Sequence, residues 1–320
     1  MASASRRLDW EAAPMQVLIS AGEPSGDRYA ARLTVALRAF WPQARFFGCA
    51  GDAMRAAGVD PVVRSESLAV VGLAEVVRHV PRIHGEYRRL VQAAAERRPD
   101  FAVLTDSAGF HLRVAKKLKN NGIPVYYLIA PQAWAWRPWR ARTLARTVRQ
   151  LHCIFPFEKE WYRQRGVEAH YIGHPLAGEA FPRVTRGEFM ARHRLALGRP
   201  IVCLAPGSRE GEIARHIPIL ADAVRKLAAG QALTILCVAA ESVSADAYAP
   251  LEATGQVRIL RGETREALAH ADVVLCASGT VTTEAALLLT PTIAFYRVSR
   301  WTYAVGKPLV RIPYFTMVNL

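Results

Sequence analysis

The 320-residue chain is long enough for two ordinary domains, and with 51% hydrophobic residues it is globular rather than disordered. Its formal charge of +15 points to an anionic partner: nucleic acid, a membrane surface or phosphorylated ligands. Five scattered cysteines (Cys49, Cys153, Cys203, Cys237 and Cys276), with no C-x-x-C pair among them, read as reduced and buried in a cytosolic protein, not as a disulfide frame or a zinc site.

The opening residues "MASASRRLDWEAAPM" carry two arginines but no apolar core, so they do not read as a secretory signal, and Asp9 and Glu11 weaken a transit-peptide reading. The first strand is "QVLIS" (16–20). A glycine-framed turn with Glu23, Ser25 and Asp27 follows, then a helix over Arg28–Phe40, where Leu33, Leu37 and Phe40 share a face. "ARFFGCA" (44–50) is the second strand. The segment 66–90 is apolar at first and basic later, and reads either as an exposed apolar rim or as a buried amphipathic helix. "FAVLT" (101–105), "PVYYLIA" (124–130) and "HCIFP" (152–156) continue the strands. The rhythm breaks in the Gly- and Pro-rich stretch 173–189, taken as a linker. It restarts with "IVCLAP" (201–206), "LTILCVA" (233–239), "QVRIL" (256–260), "DVVLCA" (272–277) and "PTIAFYR" (291–297). Continuous apolar strands alternating with helices predict two doubly wound, Rossmann-like α/β domains with parallel sheets. No apolar run reaches the roughly 18 to 20 residues of a membrane span, since the longest, Val273–Phe295, is broken by Glu284 and a Ser-Gly-Thr turn.

In such sheets ligands sit beyond the carboxyl ends of the strands. In the second half, "APGSRE" and "ASGTVTTE" occupy those positions and lead into helices, where free N–H groups and a partial positive charge favour anions. Gly207 and Gly279 allow a phosphate to approach the backbone, Ser208, Ser278 and Thr280 add hydroxyls, and Arg209 adds a charged fork. Neither turn matches a Walker A or G-x-G-x-x-G pattern, so ordinary capping by Ser and Thr is the competing reading. Glu284, one helical turn beyond Thr280, suits ribose hydroxyls or is a solvated helix charge.

Several motifs together resemble the lipid-A-disaccharide synthase family: "GEPSGD" (22–27), "LAVVGLAEVV" (68–77), "TDSAGFHLR" (105–113), "APQAWAWR" (130–137), "PFEKEWY" (156–162), "IGHP" (172–175), "PGSREGE" (206–212), "ASGTVTTE" (277–284) and "VNL" (318–320). The resemblance runs from Val17 to Leu320. It implies a GT-B glycosyltransferase with the active site in the interdomain cleft, an acceptor domain over 15–178 and a UDP-sugar domain over 179–320. It also implies that the family's last helices lie beyond this chain. The implied reaction joins UDP-2,3-diacylglucosamine to 2,3-diacylglucosamine 1-phosphate, giving the β-1,6-linked lipid A disaccharide with inversion and release of UDP, and using no metal or cofactor.

By the same resemblance Asp106 is the catalytic base and Glu23 the runner-up. Gly207, Ser208, Arg209, Ser278, Gly279, Thr280, Glu284 and Asn319 would bind the nucleotide sugar. Ser25, Val70, Val71, Leu73, Arg78 and Trp136 would meet the acceptor or its acyl chains. Val318 stands where the family has proline, which loosens the placement of Asn319, and His111 stands where an asparagine is common. Acylated substrates imply a cytoplasmic protein held peripherally on the anionic inner face of the inner membrane of a Gram-negative bacterium, with Arg78, Arg82, Arg88 and Arg89 meeting headgroups. Trp134, Trp136 and Trp139 read as interface anchors, a sugar-facing wall or core, with the cleft favoured. Whether the protein is a homodimer stays open. Competing classes are a UDP-GlcNAc 2-epimerase-like isomerase and a non-catalytic UDP or lipid binder. A nucleic-acid partner lacks a recognisable module here.

Overall fold

The computed structural model describes residues 14–68, 73–178, 182–298 and 303. The chain divides into two compact units, Met1–His174 and Pro175–Leu320.

The first unit runs β1 (Gln16–Ala21), α1 (Pro24–Phe40), β2 (Arg45–Ala50), α2 (Asp52–Ala56), β3 (Asp60–Arg64), α3 (Leu73–Arg97), β4 (Phe101–Thr105), α4 (Ala108–Asn120), β5 (Val125–Leu128), α5 (Ala133–Trp136), α6 (Arg140–Thr147), β6 (Gln150–Cys153), α7 (Pro156–Arg163) and β7 (Ala169–Tyr171). Its strands form one sheet in the order β3-β2-β1-β4-β5-β6-β7, each pair parallel. Side chains alternate between the sheet's two faces. Leu18, Ala102 and Leu104 join the core under α3, α4, α6 and α7, whereas Val17, Ile19 and Val103 join the core under α1 and α2. Both faces are covered, which is why these strands read as unbroken apolar runs.

The second unit runs α8 (Arg186–Arg192), β8 (Ile201–Ala205), α9 (Glu210–Gly230), β9 (Thr234–Ala239), α10 (Ala249–Glu252), β10 (Val257–Arg261), α11 (Thr264–His270), β11 (Val273–Ala277), α12 (Thr280–Leu287) and β12 (Thr292–Phe295). Its sheet is also parallel, in the order β10-β9-β8-β11-β12. Val202 and Leu204 pack against α9, and Ile201, Cys203 and Ala205 pack with Phe189 of α8 and Leu268 of α11. The two Rossmann-like sheets read from the sequence are therefore present.

Four details differ from the sequence reading. The strands β3 and β7 were not anticipated. β3 opens Asp60-Pro61 at a sheet edge, where a residue without an N–H is tolerated, and β7 is three residues long. The first helix starts at Pro24 instead of Arg28, because Pro24 suits the first helical position. β6 lies at 150–153 instead of 152–156, because Pro156 begins α7 and Glu158 accepts from Ile154 N and Phe155 N. The stretch taken as a linker contains the start of α8, closed by a capping box in which Thr185 and Glu188 exchange hydrogen bonds. Val70, Val71 and Asn319 lie outside the described residues; for Leu73 and Arg78 in α3 and Trp136 at the end of α5, only the backbone is described.

Candidate functional site

In the first unit the strand order reverses between β1 and β4, which pair from Val17↔Phe101 to Ala21↔Thr105. Such a switch point leaves a crevice at the carboxyl ends of two neighbouring strands. The turns after them, Gly22–Glu23 and Asp106–Ser107, meet there. Asp106 Oδ1 accepts from Gly22 N at 2.8 Å and Oδ2 from Glu23 N at 3.2 Å. Asp106 and Ser107 have φ of 49° and 33°, in the left-handed region that non-glycine residues enter only under constraint. The Asp106 carbonyl oxygen accepts from Tyr127 OH at 2.5 Å and lies 3.1 Å from His111 Nδ1.

The glycines of "GEPSGD" are explained by this carboxylate. A Cβ on Gly26 would stand 1.6 Å from Asp106 Oδ2, and one on Gly22 would stand 2.4 Å from Ser107 Oγ. Any side chain at either position displaces the Asp106 turn. Burial, reinforced by the nearby Glu23 charge, pushes the Asp106 carboxyl well above the usual carboxylate range, although the two amide hydrogen bonds pull the other way. The Ser107 side chain also hydrogen-bonds to this carboxylate, which still has lone-pair capacity to accept a proton from a hydroxyl. A raised pKa makes the carboxylate a stronger base towards that proton.

The three polar residues of the opening turn separate by role. Asp27 is buried and turned away from Asp106: its Oδ1 accepts from Gly51 N at 2.7 Å and its Oδ2 from Ala53 N at 2.9 Å, capping α2 from across the chain. Glu23 and Ser25 are half-buried, with Glu23 at the N-cap of α1.

The second unit repeats the arrangement. Its order reverses between β8 and β11, and Cys276↔Ala205 pairing places the turns after these strands side by side. Gly207 has φ 121°, and a Cβ there would meet Glu212 Oε2 at 2.8 Å, so only glycine fits. Arg209 is the N-cap of α9 and pairs with Glu212 Oε1 at 3.2 Å; Tyr296 OH donates to the same oxygen at 2.9 Å. His216, fully buried, lies 2.7 Å from the Pro206 carbonyl through Nδ1 and accepts from Arg297 N through Nε2 at 3.1 Å. That pair ties the loop before Gly207 to the segment after β12. Gly279 caps α12 in extended conformation, and no atom lies within 4 Å of where its Cβ would stand. The N-cap positions themselves are Arg209 and Gly279 instead of a serine or threonine, and neither makes a side-chain cap. Ser278, Thr280 and Glu284 are half-buried at this end of the sheet. Two helix N-termini with a guanidinium between strand ends can hold a diphosphate.

Near the first site, "APQAWAW" and "PFEKEWY" explain each other. Trp134 Nε1 donates to the fully buried Glu158 at 2.9 Å, and Tyr162 OH donates to the Pro131 carbonyl. Trp134 is thus anchored, while Trp139 is 59% exposed. Residues missed from sequence are the supports Tyr127, Glu212, Tyr296 and His216, whereas His111 was noticed only as standing where the family commonly has asparagine. Their signal is weak, because a lone Tyr in a strand or His in a helix usually reads as core. Among the described residues no three His, Cys, Asp or Glu side chains gather as a metal site requires, and all five cysteines are buried and unpaired.

A family model described as "Lipid-A-disaccharide synthetase" matches residues 17–320. The lipid-A-disaccharide synthase of Solibacter usitatus (strain Ellin6076) is 53% identical over 305 residues, covering 95% of this chain and 80% of that protein. The structure of UDP-GlcNAc 2-epimerase from Neisseria meningitidis bound to UDP-GlcNAc is similar with a TM-score of 0.61 at 12% identity, covering 95% of this chain and 89% of that one. The calicheamicin glycosyltransferase CalG4 is similar with a TM-score of 0.55 at 15% identity, covering 88% and 79%. These two structural likenesses speak for the fold.

Proposed function

The chain belongs to the lipid-A-disaccharide synthase family, and we propose that Asp106 is the base of its transfer reaction. The protein is a glycosyltransferase that makes the lipid A disaccharide from a sugar-nucleotide and a sugar-phosphate substrate. The finer reading takes UDP-2,3-diacylglucosamine as donor and 2,3-diacylglucosamine 1-phosphate as acceptor. The acceptor 6-hydroxyl oxygen attacks the donor's anomeric carbon as Asp106 takes the hydroxyl proton. The bond from that carbon to the phosphate oxygen breaks, and UDP leaves with the electron pair, inverting the anomeric centre. Arg209 and the N–H groups at Gly207–Ser208 and Ser278–Thr280 hold the diphosphate as its charge develops. Glu284 accepts from the ribose, and Asn319 contributes to the same subsite. Glu23 and Ser25 orient the acceptor beside Asp106.

The observation that carries this reading is the Asp106 carboxylate at a strand switch point, raised in pKa by burial and held by the Gly22 and Glu23 amides. Incubation with the two acylated sugars tests it: UDP and disaccharide should appear in equal amounts and only with both present. Epimerisation of UDP-GlcNAc without acceptor would be the isomerase's signature and would contradict the reading.

The bilayer is the source of both acylated substrates, with the enzyme peripheral on its cytoplasmic side. No described helix is long and apolar enough to cross a membrane. Between Ser107 and Phe157 the sequence has nine Lys or Arg and no Asp or Glu. Those residues include α4 and α6, which pack side by side with α3 on one face of the sheet. Arg82, Arg88, Arg113, Lys117, Arg142 and Arg146 are exposed on that layer. Each contributes on the order of 1 kcal/mol near an anionic headgroup surface. Val70, Val71, Leu73, Arg78 and Trp136 remain the proposed contacts for acyl chains and headgroups.

A further inference from the structure

We infer that His111 is a positioning residue that aims the Asp106 carboxylate, donating from Nδ1 to the Asp106 carbonyl while Ser20 fixes its Nε2; the inference rests on Asp106 being the base proposed above. Asp106 sits in the left-handed region, so its side-chain direction follows from a backbone turn that is unfavourable on its own. Whatever clamps the Asp106 carbonyl therefore clamps the direction of the carboxylate. Two groups do so: Tyr127 OH from β5 at 2.5 Å and His111 Nδ1 from α4 at 3.1 Å.

The tautomer follows from the partners. A carbonyl oxygen only accepts, so Nδ1 carries the hydrogen. In a neutral ring Nε2 is then an acceptor, and Ser20 Oγ, 2.7 Å away, donates to it. His111 is completely buried, and burial holds its pKa down at about 4, so the ring is neutral near pH 7. The ring thus joins β1 through Ser20, α4 through its own backbone and the β4 turn through Asp106. The same Asp106 receives the Gly22 amide from the β1 side, so both ends of the residue are referred to one strand. His111 Nδ1 is 3.9 Å from Asp106 Oδ1, too far for a hydrogen bond, so its influence on the carboxylate passes through the backbone.

Side-chain geometry supplies a test that separates positioning from packing. An asparagine at 111 places its Nδ2 donor where Nδ1 stands, keeping the bond to the Asp106 carbonyl and losing the one to Ser20. A glutamine places its amide near Nε2, keeping Ser20 and losing the carbonyl. The experiment measures kcat and KM with UDP-2,3-diacylglucosamine and 2,3-diacylglucosamine 1-phosphate, together with melting temperature, for His111→Ala, His111→Asn and His111→Gln, with Asp106→Asn alongside. We expect His111→Ala and His111→Gln to lose on the order of a hundredfold in kcat with KM little changed, the scale of a catalytic group misplaced by about 1 Å. His111→Asn should recover most of kcat without recovering melting temperature. If His111→Ala fails to fold, the Asn–Gln comparison decides alone. Equal kcat in the Asn and Gln variants, or kcat falling in step with melting temperature across the series, overturns the positioning role. Asp106→Asn turning over at the parental rate overturns the base reading itself, and the inference with it.

Discussion

Gly26→Ala is the sharpest probe of the Asp106 turn, because it adds one carbon outside the reacting groups. The new Cβ would stand 1.6 Å from Asp106 Oδ2, where ordinary contact begins at 3.4 Å, so the carboxylate must retreat by about 1.8 Å. That movement exceeds what hydrogen bonds of 2.8 Å and 3.2 Å to Gly22 N and Glu23 N can absorb. Bonds to a charged group contribute about 1.5–3 kcal/mol each, while the Gly→Ala exchange within α1 returns at most about 1 kcal/mol. With one bond lost and the other re-formed, a net destabilisation of about 0.5–3 kcal/mol is expected. Turnover should fall far more, by about a hundredfold, since a displacement of 1 Å suffices for that. UDP release in the presence of both acylated sugars reads the turnover, thermal melting reads the stability, and calorimetry with UDP should show parental affinity. A folded Gly26→Ala protein with parental turnover would refute the placement of Asp106 in the chemistry.

Other expectations follow from the same geometry. Arg209→Ala should weaken UDP binding by about tenfold or more, as loss of a charge-assisted bond predicts, and Glu284→Ala should blunt discrimination between UDP and 2′-deoxy-UDP; calorimetry reads both. The pKa of His111 falls from 6.5 to about 4 on folding, so the unfolded chain takes up a proton first as the solution is acidified. Stability from this group is whole above pH 6.5 and declines as pH drops towards 4, by about 3 kcal/mol in total, and denaturant titrations should show His111→Gln to be less acid-sensitive than the parent by that amount. Arg142→Glu with Arg146→Glu should reduce binding to anionic vesicles in sedimentation, and parental binding should weaken as salt rises, because exposed charges are screened within about 10 Å at 0.1 M; unaltered binding by the double variant would move the docking face elsewhere.

The sheets were legible in the sequence because buried parallel strands leave unbroken apolar runs, as in "QVLIS" and "IVCLAP". Edge strands are half-covered and short, so β3, with Asp60-Pro61, and β7 left no such run. The start of α8 was written in Thr185 and Glu188, but the surrounding Gly and Pro drew attention to a break instead. At the candidate site, Glu23, Arg209 and the Gly-rich turns stood out as polar or small residues directly after strands, while the family resemblance singled out Asp106 as the candidate base. Their supports did not. Asp27 looks like a partner of Glu23 in "GEPSGD" yet caps α2, twenty-five residues on, and no local pattern reveals that. His111 and Ser20 are ninety-one positions apart and meet only because β1 and β4 are neighbours. Glu212 pairs locally with Arg209 three residues before it, but Tyr296 reaches the same oxygen only because the chain after β12 returns there.

Single-turnover and steady-state rates of Asp106→Asn, measured on protein shown to melt and to bind UDP as the parent does, test the assignment most directly. A loss of at least about a hundredfold in the transfer step is expected, the usual contribution of a positioned general base. A folded, UDP-binding Asp106→Asn protein that forms disaccharide at the parental rate would contradict the assignment.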